Sequence, residues 1–170
     1  MRVRVTLAGR GPDARILVRM AKREIASLES RAESIRAELR VPKQNEVFKA
    51  AVEVGYLTAL ADGEVDDEEK AEIVRAVEII SSGAVVEWEA EDLVEECARK
   101  ASAEGPEVRA TAVGAELAAL GQAEAGIYFA ALVAHASKGI DKKEADVLKQ
   151  IGKAAGLTAD RVRDIVKKAS

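Results

Sequence analysis

Apolar positions recur with a helical period through most of the chain, and the places where the period breaks outline a set of short helices. From about Asn45 to Ala61, Val47, Ala51, Val54, Thr58 and Ala61 form a narrow face that Phe48, Leu57 and Leu60 widen. Asp62-Gly63 stops this stretch, and Asp66 starts another that carries Ile73, Val77 and Ile80 until Ser81-Ser82-Gly83. A third helix is predicted from Glu87 to Ser102, with Trp88, Leu93, Val94 and Cys97 on its buried side. A fourth runs from Pro106 to about Leu120, with proline in the first turn. Gly121 separates it from Ile127–Ala136, a strongly apolar helical stretch. Val147, Leu148, Ile151 and Ala155 mark the next helix, which Gly156 ends. Thr158 caps a last helix with Val162, Ile165, Val166 and Ala169 facing inward, and Leu157 and Val162 have the spacing of a hydrophobic staple.

The leading residues behave differently. Arg2-Val3-Arg4-Val5-Thr6-Leu7 alternates basic and apolar side chains, as in a short exposed strand or an extended tail. After Gly9-Arg10-Gly11-Pro12, a helix is predicted to about Leu39, with Ile16, Met20, Ile25, Leu28, Ile35 and Leu39 on an imperfect apolar face. Pro42 then breaks the pattern. The organisation expected is a basic arm over 1–42 and one helical domain over 43–169. Within that domain two helical pairs, each joined by an acidic turn, make a duplicated all-α architecture.

The duplication is read from Ala61-Asp62-Gly63-Glu64-Val65-Asp66-Asp67-Glu68-Glu69 and its weaker copy, Ala136-Ser137-Lys138-Gly139-Ile140-Asp141-Lys142-Lys143-Glu144. Asp66 with Glu69, and Asp141 with Glu144, have capping-box spacing, which explains those four residues without a ligand. The first copy holds more carboxylates than a cap uses. Asp62, Asp66 and Glu69 are the primary candidates to hold a hard divalent cation, calcium or magnesium, with Glu64, Asp67 and Glu68 as additional acidic surface. Asp141 and Glu144 are the corresponding candidates in the second copy, where Lys142 and Lys143 weaken the case. An EF-hand register that puts Gly63 at the sharp turn places Leu60 at a ligand position, where it has no side-chain oxygen to offer.

Charge changes the picture by dividing the chain. Residues 1–43 hold 11 basic and 5 acidic side chains, a balance of +6, and residues 44–170 hold 15 basic and 25 acidic, a balance of −10, consistent with the overall −4. The acidic body repels phosphate backbones, so no nucleic-acid partner is expected. Aromatic residues are 3% of the chain, so Ala, Val, Leu and Ile must fill the core. Cys97 is the one cysteine and reads as a small core residue, Trp88 as a packing anchor, and His135 as a packing or surface residue within reach of the second turn. No Ser-His-acid pairing, zinc motif or phosphate loop is legible, so no catalytic residue is assigned. A soluble cytoplasmic protein is expected.

The stretch Ala59–Glu69, followed by Ile73 and Val77, and the later Ala134–Glu144 together resemble the tellurite-resistance TerB family and TerB-like domains over roughly residues 43–169. The resemblance implies one compact all-helical domain with acidic residues near a divalent-metal site. It also implies a role in tellurite or chemical-stress responses, with stress-response proteins as partners, some of them on the inner face of a membrane. Asp62, Asp66 and Glu69 match the family's acidic turn, and Asp141 and Glu144 match its counterpart. The expected function is a non-enzymatic metal-binding or scaffold protein, with a metal-independent interaction domain as the alternative and a metal-dependent hydrolase as a third reading.

Overall fold

A computed structural model describes residues 44–81, 85, 87–137 and 139–169. The basic arm and its expected strand and helix lie outside the described residues. Among the described residues seven α-helices follow one another: α1 Gln44–Ala59, α2 Asp67–Ser81, α3 Glu87–Glu104, α4 Pro106–Ala119, α5 Ala123–Ser137, α6 Lys142–Ala154 and α7 Ala159–Ala169. There is no strand among the described residues. No helix among them is long and apolar enough to cross a membrane.

The two most apolar helices are the central ones. From Ala50 to Thr58 every residue of α1 is buried, and so is Ala125–Ala134 of α5 apart from the half-buried Tyr128. A helix apolar on all sides must be surrounded. α1 and α5 accordingly pack on each other, and between them they touch all five other helices. Phe48 meets Phe129 edge to face across this contact, with ring centroids 5.7 Å apart at 72°. The outer helices bury single stripes: Leu148 and Ile151 of α6, and Val162, Ile165 and Ala169 of α7. Thr158 caps α7 as its position predicts, accepting a hydrogen bond from the Arg161 amide at 3.2 Å.

Two features depart from the sequence reading. Trp88 is not a packing anchor: it is 63% exposed in the first turn of α3. The core stripe of α3 is Ala90, Val94, Cys97 and Ala101. A residue two positions before Ala90 points to the opposite side of the helix. The second departure is a buried ion pair. Glu53 of α1 is 3% exposed and Arg109 of α4 is 7% exposed. The Arg109 guanidinium donates to both carboxylate oxygens of Glu53, through Nε at 2.7 Å and Nη2 at 3.0 Å. Nη1 donates to Glu104 Oε2 at 3.2 Å, and these bonds hold the guanidinium all the more firmly protonated.

Candidate functional site

The first acidic turn forms because α1 cannot continue past Ala59. The chain tightens into a 3₁₀ turn over Leu60–Asp62, and the Gly63 amide closes it by donating to the Leu60 carbonyl at 2.9 Å. Gly63 has φ 109°, a left-handed conformation that a side chain would strain. Val65 then tucks into the core, and Asp66 caps α2. The second turn closes differently, with the Gly139 amide donating to the Ala134 carbonyl at 3.0 Å. Its left-handed residue is Gly139, φ 84°, one position closer to the cap than the sequence alignment of the two turns implies. Gly139 therefore supplies the left-handed residue of this turn, as Gly63 does in the first.

Both capping boxes are formed. The Glu69 amide donates to Asp66 Oδ1 at 2.8 Å, and the Asp66 amide donates to Glu69 Oε2 at 3.2 Å. In the second turn the Glu144 amide donates to Asp141 Oδ1 at 2.9 Å, and the Asp141 amide to Glu144 Oε2 at 2.8 Å. Each box satisfies amides at a helix start that would otherwise lack partners and sets carboxylates against the positive end of the helix dipole.

The two turns face one another across a cavity of about 310 Å³ between α1, α2, α5 and the start of α6. Asp62, Glu69 and Glu72 line it from one side, and Asp141 and Glu144 from the other, over an apolar floor that includes Ala59, Ile73 and Val133. Of the residues nominated from sequence, the fold thus brings together Asp62, Glu69, Asp141 and Glu144. Asp66 stands outside the lining as a cap, and Glu64, Asp67 and Glu68 lie on the exposed surface. His135, half-buried in the last turn of α5, is not part of the lining either.

Glu72 is the lining residue that sequence reasoning missed. It is only 8% exposed, and its signal was present: three positions after Glu69, it shares a helix face with that residue and with Ile73. The electrostatics of Glu144 reflect this arrangement. Burial pushes the Glu144 carboxyl above the usual carboxylate range, and the Asp141, Asp62 and Glu69 carboxylates push it the same way, against the lowering effect of its cap bond.

The donor chemistry of this cavity, carboxylate oxygens on an otherwise apolar wall, suits a hard divalent cation. As the side chains stand, no three His, Cys, Asp or Glu among the described residues are gathered into a metal-holding group. Cys97 is buried in the core, and burial together with the nearby Glu53 carboxylate pushes its thiol up to about 12, a shift that suppresses nucleophilic chemistry. Comparison of the chain with family models, with curated proteins and with solved structures gives no match in any of the three.

Proposed function

We propose that this chain is a non-enzymatic helical scaffold whose acidic cavity takes a divalent cation of the calcium or magnesium class, in the manner of a TerB-like domain of a stress-response assembly. One observation carries the reading: five carboxylates from two separate helix junctions line a single cavity, and one of them, Glu144, holds its proton more tightly because it is buried and because Asp141, Asp62 and Glu69 lie near it. Concentrating negative charge in a partly enclosed space opposes folding unless something positive offsets it. Asp62, Glu69 and Glu72 from the first junction, with Asp141 and Glu144 from the second, are the residues that would hold the ion. Bound there, it would tie the start of α2 to the start of α6 and neutralise the surface a partner meets. Stress-response proteins at the inner face of a membrane are the partners this reading implies, with the scaffold itself in the cytoplasm.

Isothermal titration calorimetry of the full chain with calcium and with magnesium, after chelator treatment, tests it. Saturable binding in the range of about 10⁻⁵ to 10⁻³ M, abolished in Asp62→Asn/Asp141→Asn, supports the site. Absence of saturable heat for either ion at millimolar concentration overturns it.

A second reading has its own support, because both capping boxes are complete without any ion. In this reading the turns are helix starts of a metal-independent interaction domain. Thermal unfolding that is identical in chelator and in millimolar calcium or magnesium favours it.

A further inference from the structure

We infer that the outward face of the first turns of α3, centred on Trp88, is a docking surface for the chain's own basic leading segment, residues 1–43. The inference does not depend on the cation reading, since the face lies outside the cavity.

Glu87–Glu96 carries six acids, Glu87, Glu89, Glu91, Asp92, Glu95 and Glu96, and no basic residue. Lys70 holds Glu95 at 3.3 Å and Lys100 holds Glu96 at 3.0 Å, whereas Glu87, Glu91 and Asp92 face solvent. An acidic helix face is ordinarily just a solvated surface. Trp88 sets this one apart. It is one of two large hydrophobic side chains exposed among the described residues, and its 63% exposure leaves on the order of 150 Å² of indole in water. An indole flanked by carboxylates fits an occupant that is both apolar and cationic. Arginine is the best match, stacking on the ring while pairing with the acids.

The chain supplies that occupant. Its first 43 residues contain nine arginines and two lysines against five acids, interspersed with Ile16, Met20, Ile25, Leu28, Ile35 and Leu39. The segment enters the body at Gln44, where α1 begins, and α1 packs directly on α3. A segment of this length reaches well past the roughly 24 Å of α1. Tethering also keeps its local concentration near the millimolar range, so weak charge pairing is enough to populate the contact.

Trp88 is the chain's only tryptophan, so its fluorescence reports this face alone. Acrylamide quenching of the full chain in chelator is compared at about 20 mM and about 500 mM sodium chloride, the latter shortening the screening length to a few ångströms. The expected result is a roughly twofold lower quenching constant at low salt that does not depend on protein concentration. Glu87→Gln/Glu91→Gln/Asp92→Asn, and separately Arg15→Gln/Arg19→Gln/Arg23→Gln, should each abolish the low-salt protection with an unchanged circular dichroism spectrum. Quenching that ignores salt and is the same in all three proteins overturns the inference. Protection that grows with protein concentration overturns it too, by assigning the face to a second copy.

Discussion

Replacing Arg109 with methionine tests whether the Glu53–Arg109 pair holds α4 onto α1. The substitution keeps most of the side-chain volume and removes the charge. It leaves the Glu53 carboxylate, 3% exposed, without its bidentate partner. Breaking a buried pair from one side costs about 3–5 kcal/mol, chiefly because the remaining charge is stranded in a poor solvent. Here the low end applies, because Lys100 Nζ lies 3.8 Å from Glu53 Oε2 and still compensates in part. The opposite truncation, Glu53→Leu, should cost only about 1–2 kcal/mol. It leaves Arg109 with Glu104 at 3.2 Å and Glu116 at 3.6 Å, both reachable from the surface. The double variant removes both charges and should lie within about 1 kcal/mol of the parent, because an apolar pair of similar volume replaces a desolvated ion pair at little cost. Urea unfolding followed by circular dichroism measures all three variants, and a loss of about 3 kcal/mol corresponds to a melting point roughly 10 °C lower in a body of this size. The reasoning fails if the double variant is as unstable as Arg109→Met, since the cost would then come from lost packing and not from a stranded charge.

The other predictions concern single contacts. Gly114→Ala places a Cβ 2.6 Å from the Ile151 carbonyl oxygen and 2.7 Å from Ala154 Cβ, forcing α4 and α6 apart. Despite better helix propensity it should lower stability by about 1–2 kcal/mol in the same urea assay. Cys97, with its thiol pushed up to about 12, should resist a disulfide reagent at pH 8 in the folded chain and react at once in denaturant, as followed by absorbance. Asp141→Ala removes the cap of α6 and should cost about 0.5–2 kcal/mol, with the loss confined to hydrogen exchange at the start of that helix if the body otherwise stays intact.

The helices themselves were legible because their apolar period is regular and their ends carry strong punctuation: Pro106 at one start, Thr158 at another, Gly156 at a stop. Where periodicity misled, the cause was geometric. Trp88 reads from sequence as a packing anchor on the buried side, but the phase of Ala90, Val94 and Cys97 puts it outward. Glu53 is a lone acid in the apolar run Ala50–Leu57, a visible anomaly. Its partner lies 56 residues away, and no local spacing names it. The acidic cavity was half legible. Each turn announces its own carboxylates, but that the two turns share one space follows from the packing of α1 on α5, which places the ends of both helices side by side. That Glu72 shares a helix face with Glu69 is legible from spacing, but its place in a cavity with the second turn follows from that packing.

Capping and cation binding are compatible at this site, and Glu144 provides the means to separate their effects. The cap bonds engage one oxygen of each second-turn carboxylate, Asp141 Oδ1 and Glu144 Oε2, and a carboxylate has a second oxygen able to accept another contact. An ion therefore need not unwind a helix start to enter. Without an ion, Glu144 is a liability. Its folded-state proton affinity is raised, so folding is favoured below the ordinary glutamate range, about pH 4.5, and loses that contribution as pH rises through the higher folded value. Glu144→Gln keeps a side-chain acceptor for the Asp141 amide and removes the charge. In chelator it should match the parent below pH 4 and become the more stable of the two as pH climbs toward 7. With saturating calcium at pH 7 the order should reverse, because the charge that opposes folding alone becomes a ligand when the ion is present. Thermal unfolding across pH, with chelator and with calcium, reads both halves. If Glu144→Gln gains no stability between pH 5 and 7 in chelator, the carboxylates of the two turns are not in the electrostatic contact that the cavity requires.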